Sequence, residues 1–575
     1  MIKKVLFLLL TLLLISPSLS LFSQTDTNND LEDMFKTSGE IYFTFDIGSP
    51  MELESLTRII SIDNVYGIQV LAYANRKEFQ EFLKLGYAYT ILPHPGSLLT
   101  EDQLRPPGSG ESPLNIWNYY PTYQEYLDFM DDFAASYPEI CNVISIGTSV
   151  NGRALIAVKI SDNVNEQEAE PEFFYTSSIH GDETTGYVLM LHLIDYLLSN
   201  YGLDPRITDM IDNTEIYINP LANPDGTYYG GNNSVYQAQR YNANWVDLNR
   251  NYPDPEDGPH PDGNAWQPET IAFMAFADSN HFVMGANFHG GEEVFNYPWD
   301  TWAKLAADDD WWQFVGHEYV DTVHLYSPWN YFSGFNNGII NGYQWYEIDG
   351  GRQDYMNYWH ADREVTLEIS NIKLLPANQL LNHWEYNYRS LLNYIEQANY
   401  GLQGVVTDSV TEEPLQARIL IPGFDIDNSF VDTKLPSGYY SRLLYEGTYG
   451  LRFSATGYFP KTIYDISVIN RETTRLDVEL VPLNVAQDEP RYERLSMVFP
   501  NPSDGVIELT LPETGITEAL VECFGITGHQ VFSKHVEVSE GVASFRLDLR
   551  NLPSGLYLLR LSTGMARYVD RIIIR

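Results

Sequence analysis

Short apolar runs alternate with a helix-like segment between residues 117 and 399, and this alternation limits the fold more than any other feature. The runs at 155–160, 173–177 and 214–218 have the length and the β-branched and aromatic content of strands. Residues 184–199 repeat apolar residues at helical spacing. Strands that alternate with helices form a mostly parallel sheet. We therefore predict an α/β domain with a mixed, mostly parallel sheet sandwiched by helices.

Two histidines follow strand-like runs of this domain. His180 comes after the run at 173–178, and His289 comes after the run at 282–288. In α/β sheets, ligands bind outside the carboxyl ends of the strands. Both histidines therefore lie where a site is expected.

Residues 40–94 have the pattern of a separate small α+β domain. The predicted order is β-α-β-α-β, with strands at 40–47, 65–74 and 88–92 and helices at 50–60 and 76–85. Residues 95–116 are rich in Pro, Gly and Ser, which is typical of a linker. The α/β domain would then occupy residues 117–399.

Short alternating strands with turn residues between them replace the α/β pattern after residue 400. They predict a small β-sandwich over 400–484 and a second one over 495–575, joined by a linker over 485–494.

The first 23 residues have the pattern of a signal peptide. Lys3 and Lys4 precede a short apolar run, and small residues follow that run. The run is shorter than the roughly 20 residues that span a bilayer, and no later segment is long enough. We therefore expect an exported chain with no transmembrane segment in its mature form.

The chain is strongly acidic, with a formal net charge of −44 at pH 7. Such a charge argues against nucleic acid or an anionic membrane surface as a partner. Cys141 and Cys523 lie beside apolar residues in different predicted domains, so we interpret them as small buried hydrophobes. An exported chain without a disulfide framework fits a bacterium.

His180, Glu183 and His289 could bind a metal ion. Gly181 permits the chain to turn between the first two of these residues. Two imidazoles and a carboxylate can hold Zn²⁺ with one coordination position left open, although other divalent ions are compatible with them. On its own, a His-x-x-Glu spacing also occurs by chance on protein surfaces.

Polar residues around position 247 could orient this metal site and bind a substrate. Asp247 would accept the second ring N–H of a ligand histidine and so fix its tautomer. Arg240, Asn249 and Arg250 offer planar donors, and a C-terminal carboxylate is held best by a bidentate guanidinium. These donors favour an exopeptidase over an endopeptidase. The alternative is that the arginines are solvated surface charges.

Glu368 lies in an apolar run, residues 364–370, that is typical of a buried strand. A carboxylate there is costly unless it is paired or functional. It could form a structural ion pair, or it could be the general base beside a metal. Burial would raise its pKa and a nearby Zn²⁺ would lower it, and the sequence leaves the balance open.

A set of short motifs carries a family resemblance. The motifs are His180-Gly-Asp-Glu183, Asn223-Pro-Asp-Gly226, Arg240-Tyr-Asn242, Asp247-Leu-Asn-Arg-Asn251, His289-Gly-Gly291, Asn296-Tyr-Pro298, Tyr346-Glu-Ile-Asp-Gly-Gly351, Gln353-Asp-Tyr355 and Thr366-Leu-Glu368. Together they resemble zinc carboxypeptidases of the carboxypeptidase A superfamily, in particular the regulatory branch.

The resemblance implies a role for each site residue. His180, Glu183 and His289 would bind one zinc ion per catalytic domain, and Glu368 would be the general base. The remaining roles are oxyanion stabilisation by Arg240, binding of the terminal carboxylate by Asn249 and Arg250, and closure over the substrate by Tyr346.

The resemblance also bears on side-chain specificity. In the regulatory branch, an aspartate eleven residues after the last zinc histidine helps to hold a basic side chain, and Asp300 occupies that position. Gln353 matches another residue of that pocket. Arg352 stands where the family usually has an uncharged residue, and a cation there could repel a basic side chain. We expect a preference for C-terminal Lys or Arg.

The flanking domains have resemblances of their own. Residues 401–484 resemble the transthyretin-like domain of regulatory carboxypeptidases. Residues 495–575 resemble the C-terminal sorting domain of Bacteroidetes type IX secretion cargo, which implies the type IX machinery as a partner and a secreted or cell-surface location. Residues 40–94 stand where pro-domains stand, and either an inhibitory or an accessory role is compatible with that position.

These features predict a zinc exopeptidase that acts on the C-termini of peptides or proteins. Two alternatives are a non-catalytic surface-binding protein on the same fold and an amidase that acts on cell-wall peptides. The first would lack a ligand or the base, and the second would lack the arginine that grips the carboxylate.

Overall fold

The structure is a computed structural model that describes residues 22–23, 28–110, 117–483, 492–494, 497–510, 518–537, 544–562 and 567–575. Only residues 22–23 of the predicted signal peptide are described, and residues 111–116 and 485–491 of the predicted linkers lie outside the described residues. The chain divides into two compact units, Met1–Pro482 and Leu483–Arg575. No helix in the described part of the chain is both long and apolar enough to cross a bilayer.

The N-terminal domain, residues 28–94, is built on an antiparallel sheet. In spatial order the strands are Phe22–Ser23, Tyr89–Leu92, Glu40–Asp46, Gln69–Asn75 and Ser61–Tyr66. The helices are Asn28–Ser38, Leu53–Leu56 and Arg76–Leu85. Apolar side chains from alternate positions of Glu40–Asp46, including Phe43 and Phe45, pack on Phe79 and Phe82 of the last helix.

The structure corrects the predicted order of this domain. The run at 65–74 is not one strand, because the chain reverses at Gly67, whose φ of 67° suits glycine in a tight turn. The result is a hairpin of Ser61–Tyr66 and Gln69–Asn75. The predicted helix at 50–60 is also shorter, with a 3-10 turn at Pro50–Glu52 and an α-helix at Leu53–Leu56.

The α/β domain, residues 117–399, contains an eight-stranded sheet. In spatial order the strands are Ile339–Asn341, Glu293–Tyr297, Arg363–Ile369, Phe282–His289, Glu172–Ser177, Glu215–Asn219, Ala154–Ile160 and Cys141–Thr148. Four of the seven strand pairings are parallel. They are the three pairings among the four central strands, from Arg363–Ile369 to Glu215–Asn219, and the pairing of Ile339–Asn341 with Glu293–Tyr297 at one edge. The other three pairings are antiparallel. The predicted mixed, mostly parallel sheet is therefore confirmed.

Helices cover this sheet. They are Tyr123–Ser136, Thr185–Asn200, Pro205–Asp212, Pro224–Thr227, Pro268–Ser279, Asp309–Tyr326, Phe335–Gly338, Gly342–Trp345, Arg352–His360 and Leu380–Gln397. Thr185–Asn200 is apolar on almost all sides because neighbouring helices and the sheet enclose it. Residues 95–110 are part of this packing, since the short helix Glu101–Leu104 buries Leu104 completely in the core of the α/β domain.

The two-sheet domain, residues 401–482, is the predicted first β-sandwich. One sheet contains Gly401–Asp408, Tyr439–Arg442, Thr473–Arg475 and Val478–Leu480, and the other contains Val431–Asp432, Ala417–Leu420, Gly447–Ala455 and Lys461–Val468. The domain is joined to the α/β domain by a buried ion network. Arg442 binds both Asp308 of the α/β domain and Asp425, and Arg363 also binds Asp308.

The C-terminal unit is a second β-sandwich. Its five-stranded sheet contains Tyr492–Arg494, Arg567–Ile574, Gly555–Ser562, Glu518–Gly525 and Gln530–Glu537, and its three-stranded sheet contains Met497–Phe499, Val506–Thr510 and Ser544–Asp548. Residues 492–494 were predicted to belong to a linker, but they form a strand that pairs with Arg567–Ile574.

We expect Arg442→Ala to destabilise the first unit by about 3 kcal/mol, because it leaves two buried carboxylates without their shared cation. Calorimetry of the full chain would measure the effect. Arg418→Ala is the matched control in the same domain, since Arg418 pairs with Asp432 in an exposed ion pair worth about 0–1 kcal/mol. Equal shifts in the two variants would contradict the structural role of the buried network.

Candidate active site

The carboxyl ends of three neighbouring strands bring the site residues together. Phe282–His289 lies between Glu172–Ser177 and Arg363–Ile369, and it is parallel to both. The register places His289 directly beside Glu368 on the next strand. His180 follows the end of the third strand, so all three side chains reach the same edge of the sheet.

The turn after His180 requires glycine at position 181. A Cβ atom on Gly181 would lie 2.4 Å from the backbone of Gly226 and 2.5 Å from the carbonyl oxygen of Gln239. These are backbone atoms that cannot move aside. The absence of a side chain lets the chain turn tightly here, so that Glu183 faces the same point as His180.

His180, Glu183 and His289 converge on one point. The two Nδ1 atoms are 3.1 Å apart, and each lies close to one oxygen of Glu183, at 3.0 Å for His180 and 2.8 Å for His289. Ligand atoms around a tetrahedral Zn²⁺ are separated by about 3.3 Å when the bonds are about 2.0–2.1 Å long. All three residues are buried. The donor set and its spacing therefore fit a zinc ion.

Second hydrogen bonds fix the orientation of both imidazoles. His180 Nε2 lies 3.1 Å from the Asp247 carboxylate, as the sequence predicts. His289 Nε2 lies 2.6 Å from the side-chain carbonyl of Asn287, which sequence reasoning missed. Each acceptor takes the ring N–H and leaves Nδ1 free to face the metal position. Asn287 is two residues before His289 on the same strand, a spacing that could have signalled its role.

Buried charges set the protonation of the ligands. Burial alone would raise the pKa of Glu183. The interactions with His180, Lys373 and His289 outweigh this effect and hold the pKa of Glu183 well below the usual range. Burial also opposes the carboxylate of Asp247, and Arg240 and His180 again lower its pKa. Both acids are therefore ionised.

The two histidines differ in their charge balance. Burial lowers the pKa of His289 to about 4, so this ring is neutral near pH 7. Burial and Arg240 also lower the pKa of His180, but Glu183 and Asp247 together raise it above its ordinary value. A metal ion would compete with the proton at Nδ1 of His180.

Glu368 is a partly buried acid, and one of its two carboxylate oxygens is enclosed by the protein. Its Oε2 atom is buried and has no hydrogen-bond partner among the described residues. Burial and the negative charge of Glu183 raise its pKa well above the usual range. An enclosed carboxylate oxygen without a partner costs stability, and such an environment is typical of a reacting group.

Cationic and amide groups surround the same cavity. It is lined by Asp63, His180, Glu183, Arg240, Asn249, Arg250, His289, Asn296, Asp300, Trp345, Tyr346, Ile348, Thr366 and Glu368. The Arg240 guanidinium donates to Glu183 and Asp247. Arg250 donates to the backbone carbonyl of Asn249, which fixes the direction of its guanidinium. Both arginines are buried and are not solvated surface charges.

The predicted specificity residues occupy different positions. Asp300 lines the cavity, and no described lysine or arginine forms an ion pair with it. Gln353 does not line the cavity, because its side-chain carbonyl accepts the backbone N–H of Thr366. Arg352 donates from Nε to Glu364 Oε1 and from Nη2 to Glu364 Oε2, and it is buried against Phe174. Its charge is neutralised away from the cavity.

Three further residues contact the site, and no sequence motif indicated them. Ser61 and Asp63 belong to the N-terminal domain, and Lys373 follows Glu368 by five residues. Lys373 Nζ lies 2.7 Å from Glu183 and 2.6 Å from Asp63, and it donates to the Gly290 carbonyl. These contacts join segments that are far apart in the chain, so no local motif could indicate them.

Comparison with known families gives two matches. Residues 126–390 match the zinc carboxypeptidase family, and residues 497–575 match the secretion system C-terminal sorting domain. The second match indicates export and a secreted or cell-surface location.

Individual relatives agree with the first match. The chain is 37% identical over 353 residues to carboxypeptidase M of Mus musculus, covering 58% of this chain and 78% of the relative. It is 37% identical over 406 residues to carboxypeptidase D of Anas platyrhynchos, covering 65% of this chain. The chain spans only 28% of the length of that carboxypeptidase D.

A solved structure supports the fold. The crystal structure of the carboxypeptidase A from Helicoverpa armigera aligns with a TM-score of 0.50 at 19% identity. The alignment covers 63% of this chain and 97% of that structure.

Asn287→Ala should weaken zinc affinity by about 10–100-fold, because removal of a group that orients a ligand histidine has an effect of that size. A competitive chelator titration would measure this, with His289→Ala as the variant that loses the ion. His317→Ala is the control, since His317 is exposed on the helix Asp309–Tyr326. Unchanged affinity in Asn287→Ala would contradict the orienting role.

Proposed function

Because the chain belongs to the zinc carboxypeptidase family, we propose that it hydrolyses the C-terminal peptide bond of peptides or proteins outside the cell. The observation that carries the proposal is one cavity that combines the His180, Glu183 and His289 donors with a Glu368 carboxylate oxygen that has no partner among the described residues. Zn²⁺ bound to these donors supplies a Lewis acid that polarises a carbonyl and lowers the pKa of water.

The charges around the cavity support an exopeptidase. Arg250 offers a guanidinium fork whose Nε is buried without a partner among the described residues, and a terminal carboxylate would satisfy it. Tyr346 lies beside it at the cavity wall and can close over the substrate. An amidase for internal or capped bonds has no need of a buried cation at this position.

The residues around the scissile bond have complementary tasks. Glu368 accepts a proton from the attacking water and then donates it to the leaving amine. Arg240 donates to the oxygen of the scissile carbonyl, where negative charge develops.

We further propose a preference for C-terminal Lys or Arg. Asp300 supports it, because a buried carboxylate without a cationic partner would gain one from a basic side chain. The neutralisation of Arg352 by Glu364 removes the charge that would oppose such a side chain.

Glu368→Gln should lower kcat by about 10²–10⁴-fold, since proton transfer by a positioned group contributes that much. Release of the last residue from short peptides would be assayed with and without a chelator. Zinc content is the control, because Gln leaves the three ligands in place. A non-catalytic binding protein would show no chelator-sensitive release with the natural sequence, and that result would refute the proposal.

Peptides that end in Lys or Arg should be hydrolysed faster than peptides that end in Phe or Asp.

Asp300→Asn should lower kcat/KM for the Lys peptide by about 10–100-fold, the equivalent of one charge-assisted hydrogen bond. Burial raises the pKa of Asp300 to about 6, so the preference should be present above that pH and disappear below it as the carboxylate takes a proton. A pH-independent preference would contradict the assignment of Asp300.

A further inference from the structure

We infer that Arg352 is a positioning residue for the metal site, although it does not contact the three metal donors. The inference rests on the proposed function, because it concerns the same cavity. The guanidinium acts through two intermediate side chains, Glu364 and Asn287, on the imidazole of His289. The backbone N–H of Arg352 acts directly on a second amide, that of Asn249.

Two neighbouring strands bring the intermediate side chains together. Asn287 and His289 are two residues apart on Phe282–His289, so their side chains share one face of the sheet. The adjacent strand, Arg363–Ile369, is parallel, and its Glu364 meets the Asn287 side chain. All three side chains are buried, so bulk water does not compete for their hydrogen bonds.

The amide of Asn287 has a single direction. Its Nδ2 atom lies 3.1 Å from Glu364 Oε1, 3.1 Å from the carbonyl oxygen of Val365 and 3.2 Å from the hydroxyl of Thr366. A backbone carbonyl only accepts hydrogen bonds, and so does a carboxylate bound to a guanidinium, so the amide nitrogen has to face them. The amide oxygen is therefore on the opposite side, 2.6 Å from His289 Nε2.

This direction determines the tautomer of His289. An oxygen beside Nε2 accepts the ring N–H, so the proton is on Nε2 and the lone pair of Nδ1 faces the metal position. If the Asn287 amide were reversed, its Nδ2 would donate to Nε2, and the ring proton would move to Nδ1. A protonated Nδ1 does not bind a metal ion.

Arg352 keeps Glu364 in the accepting role. The guanidinium donates from Nε to Oε1 at 3.0 Å and from Nη2 to Oε2 at 2.9 Å, and it has no acceptor of its own. Its central carbon lies 4.9 Å from the ring centre of Phe174 and 5.3 Å from that of Phe273, which holds the cation in place. A completely buried ion pair is often no more stabilising than apolar residues of the same volume, so this pair is better explained by the groups that it orients.

The backbone of Arg352 fixes the second amide. Its N–H donates to Asn249 Oδ1 at 2.9 Å. The nitrogen of that amide is thereby turned away from Arg352, and Asn249 lines the cavity. Because Arg352 is the first residue of the helix Arg352–His360, its ion pair with Glu364 anchors the same N–H that orients Asn249. One residue thus orients a group on the metal side of the cavity and a group on the side of the substrate carboxylate.

The first test is a zinc titration of full-length chains against a competing chelator. A double variant, Arg352→Met with Glu364→Gln, leaves no unpaired buried charge and should keep the melting temperature of the natural sequence. The new amide can present either its oxygen or its nitrogen to Asn287, so the affinity for zinc should fall by about 10-fold. The visible spectrum of the Co²⁺-loaded chain should change as well, because it reports the geometry of the ligands.

Further chains make the zinc titration specific. Arg352→Lys keeps a cation beside Glu364 and should retain most of the affinity. Arg418→Met with Asp432→Asn removes an exposed ion pair of the same bidentate geometry from the two-sheet domain and should change nothing. Glu364→Gln alone decides the outcome if the first double variant does not fold. An unchanged zinc affinity and Co²⁺ spectrum would overturn the inference, and so would a loss that Arg352→Lys shares in full.

A matched pair of variants isolates the second amide. Arg352→Pro with Glu364→Gln differs from the first double variant in lacking the N–H that Asn249 accepts. Proline is tolerated at the first residue of a helix, and Gly351 has a φ of −70° and a ψ of 146°, which suit the residue before proline. The proline chain should bind a C-terminal carboxylate about 5-fold more weakly than the methionine chain, the equivalent of one hydrogen bond.

The probe for this comparison is a Lys-terminated peptide whose last amide is replaced by a methyleneamine link that is not hydrolysed. Calorimetry would measure its binding to the zinc-loaded chains. Equal affinity in the two chains would overturn the action of Arg352 on Asn249. If no chain binds the probe, the exopeptidase proposal and the part that concerns Asn249 fail together, and the zinc titration still decides the part that concerns His289.

Discussion

Glu183 interacts directly with the cationic and imidazole groups of the site, and the geometry of the site depends on it. Its carboxylate faces two imidazoles, Lys373 and Arg240 in a buried setting. An acid with so many cationic neighbours stays ionised, and its position determines where both histidine Nδ1 atoms can point. The apolar helix that begins two residues later fixes Glu183, so the hydrophobic core of the domain and the geometry of the metal position are parts of one arrangement.

The sequence predicted the sheet and the convergence of His180, Glu183 and His289, because both depend on local patterns. Strand-like runs end next to His180, His289 and Glu368, and parallel strands bring such ends together. The hairpin at Gly67 was missed because Ser61–Tyr66 alternates only weakly and the turn interrupts a continuous apolar run. Ser61 and Asp63 could not be predicted, since their contacts depend on how two domains dock. Lys373 could not be predicted either, since its contacts with Glu183 and Gly290 join segments that are far apart in the chain.

Charge explains why this docking is specific. Asp63, Ser61 and Ile62 of the N-terminal domain contribute a carboxylate, a hydroxyl and a backbone carbonyl, and each of these groups contacts a cationic side chain of the site. The same cationic groups would bind the terminal carboxylate and polarise the carbonyl of a peptide. The cationic groups that we assign to the substrate therefore also bind the N-terminal domain in this structure.

The buried bond between Arg442 and Asp308 has a practical consequence for anyone who wishes to produce a minimal enzyme. A fragment that stops at residue 399, where the α/β domain ends, would lack Leu443, which belongs to the hydrophobic core of that domain. It would also leave Asp308 with Arg363 as its remaining cationic partner. Solubility during expression would suffer before catalysis could be assayed. The smallest fragment that keeps this ion network within a compact unit therefore extends to Pro482.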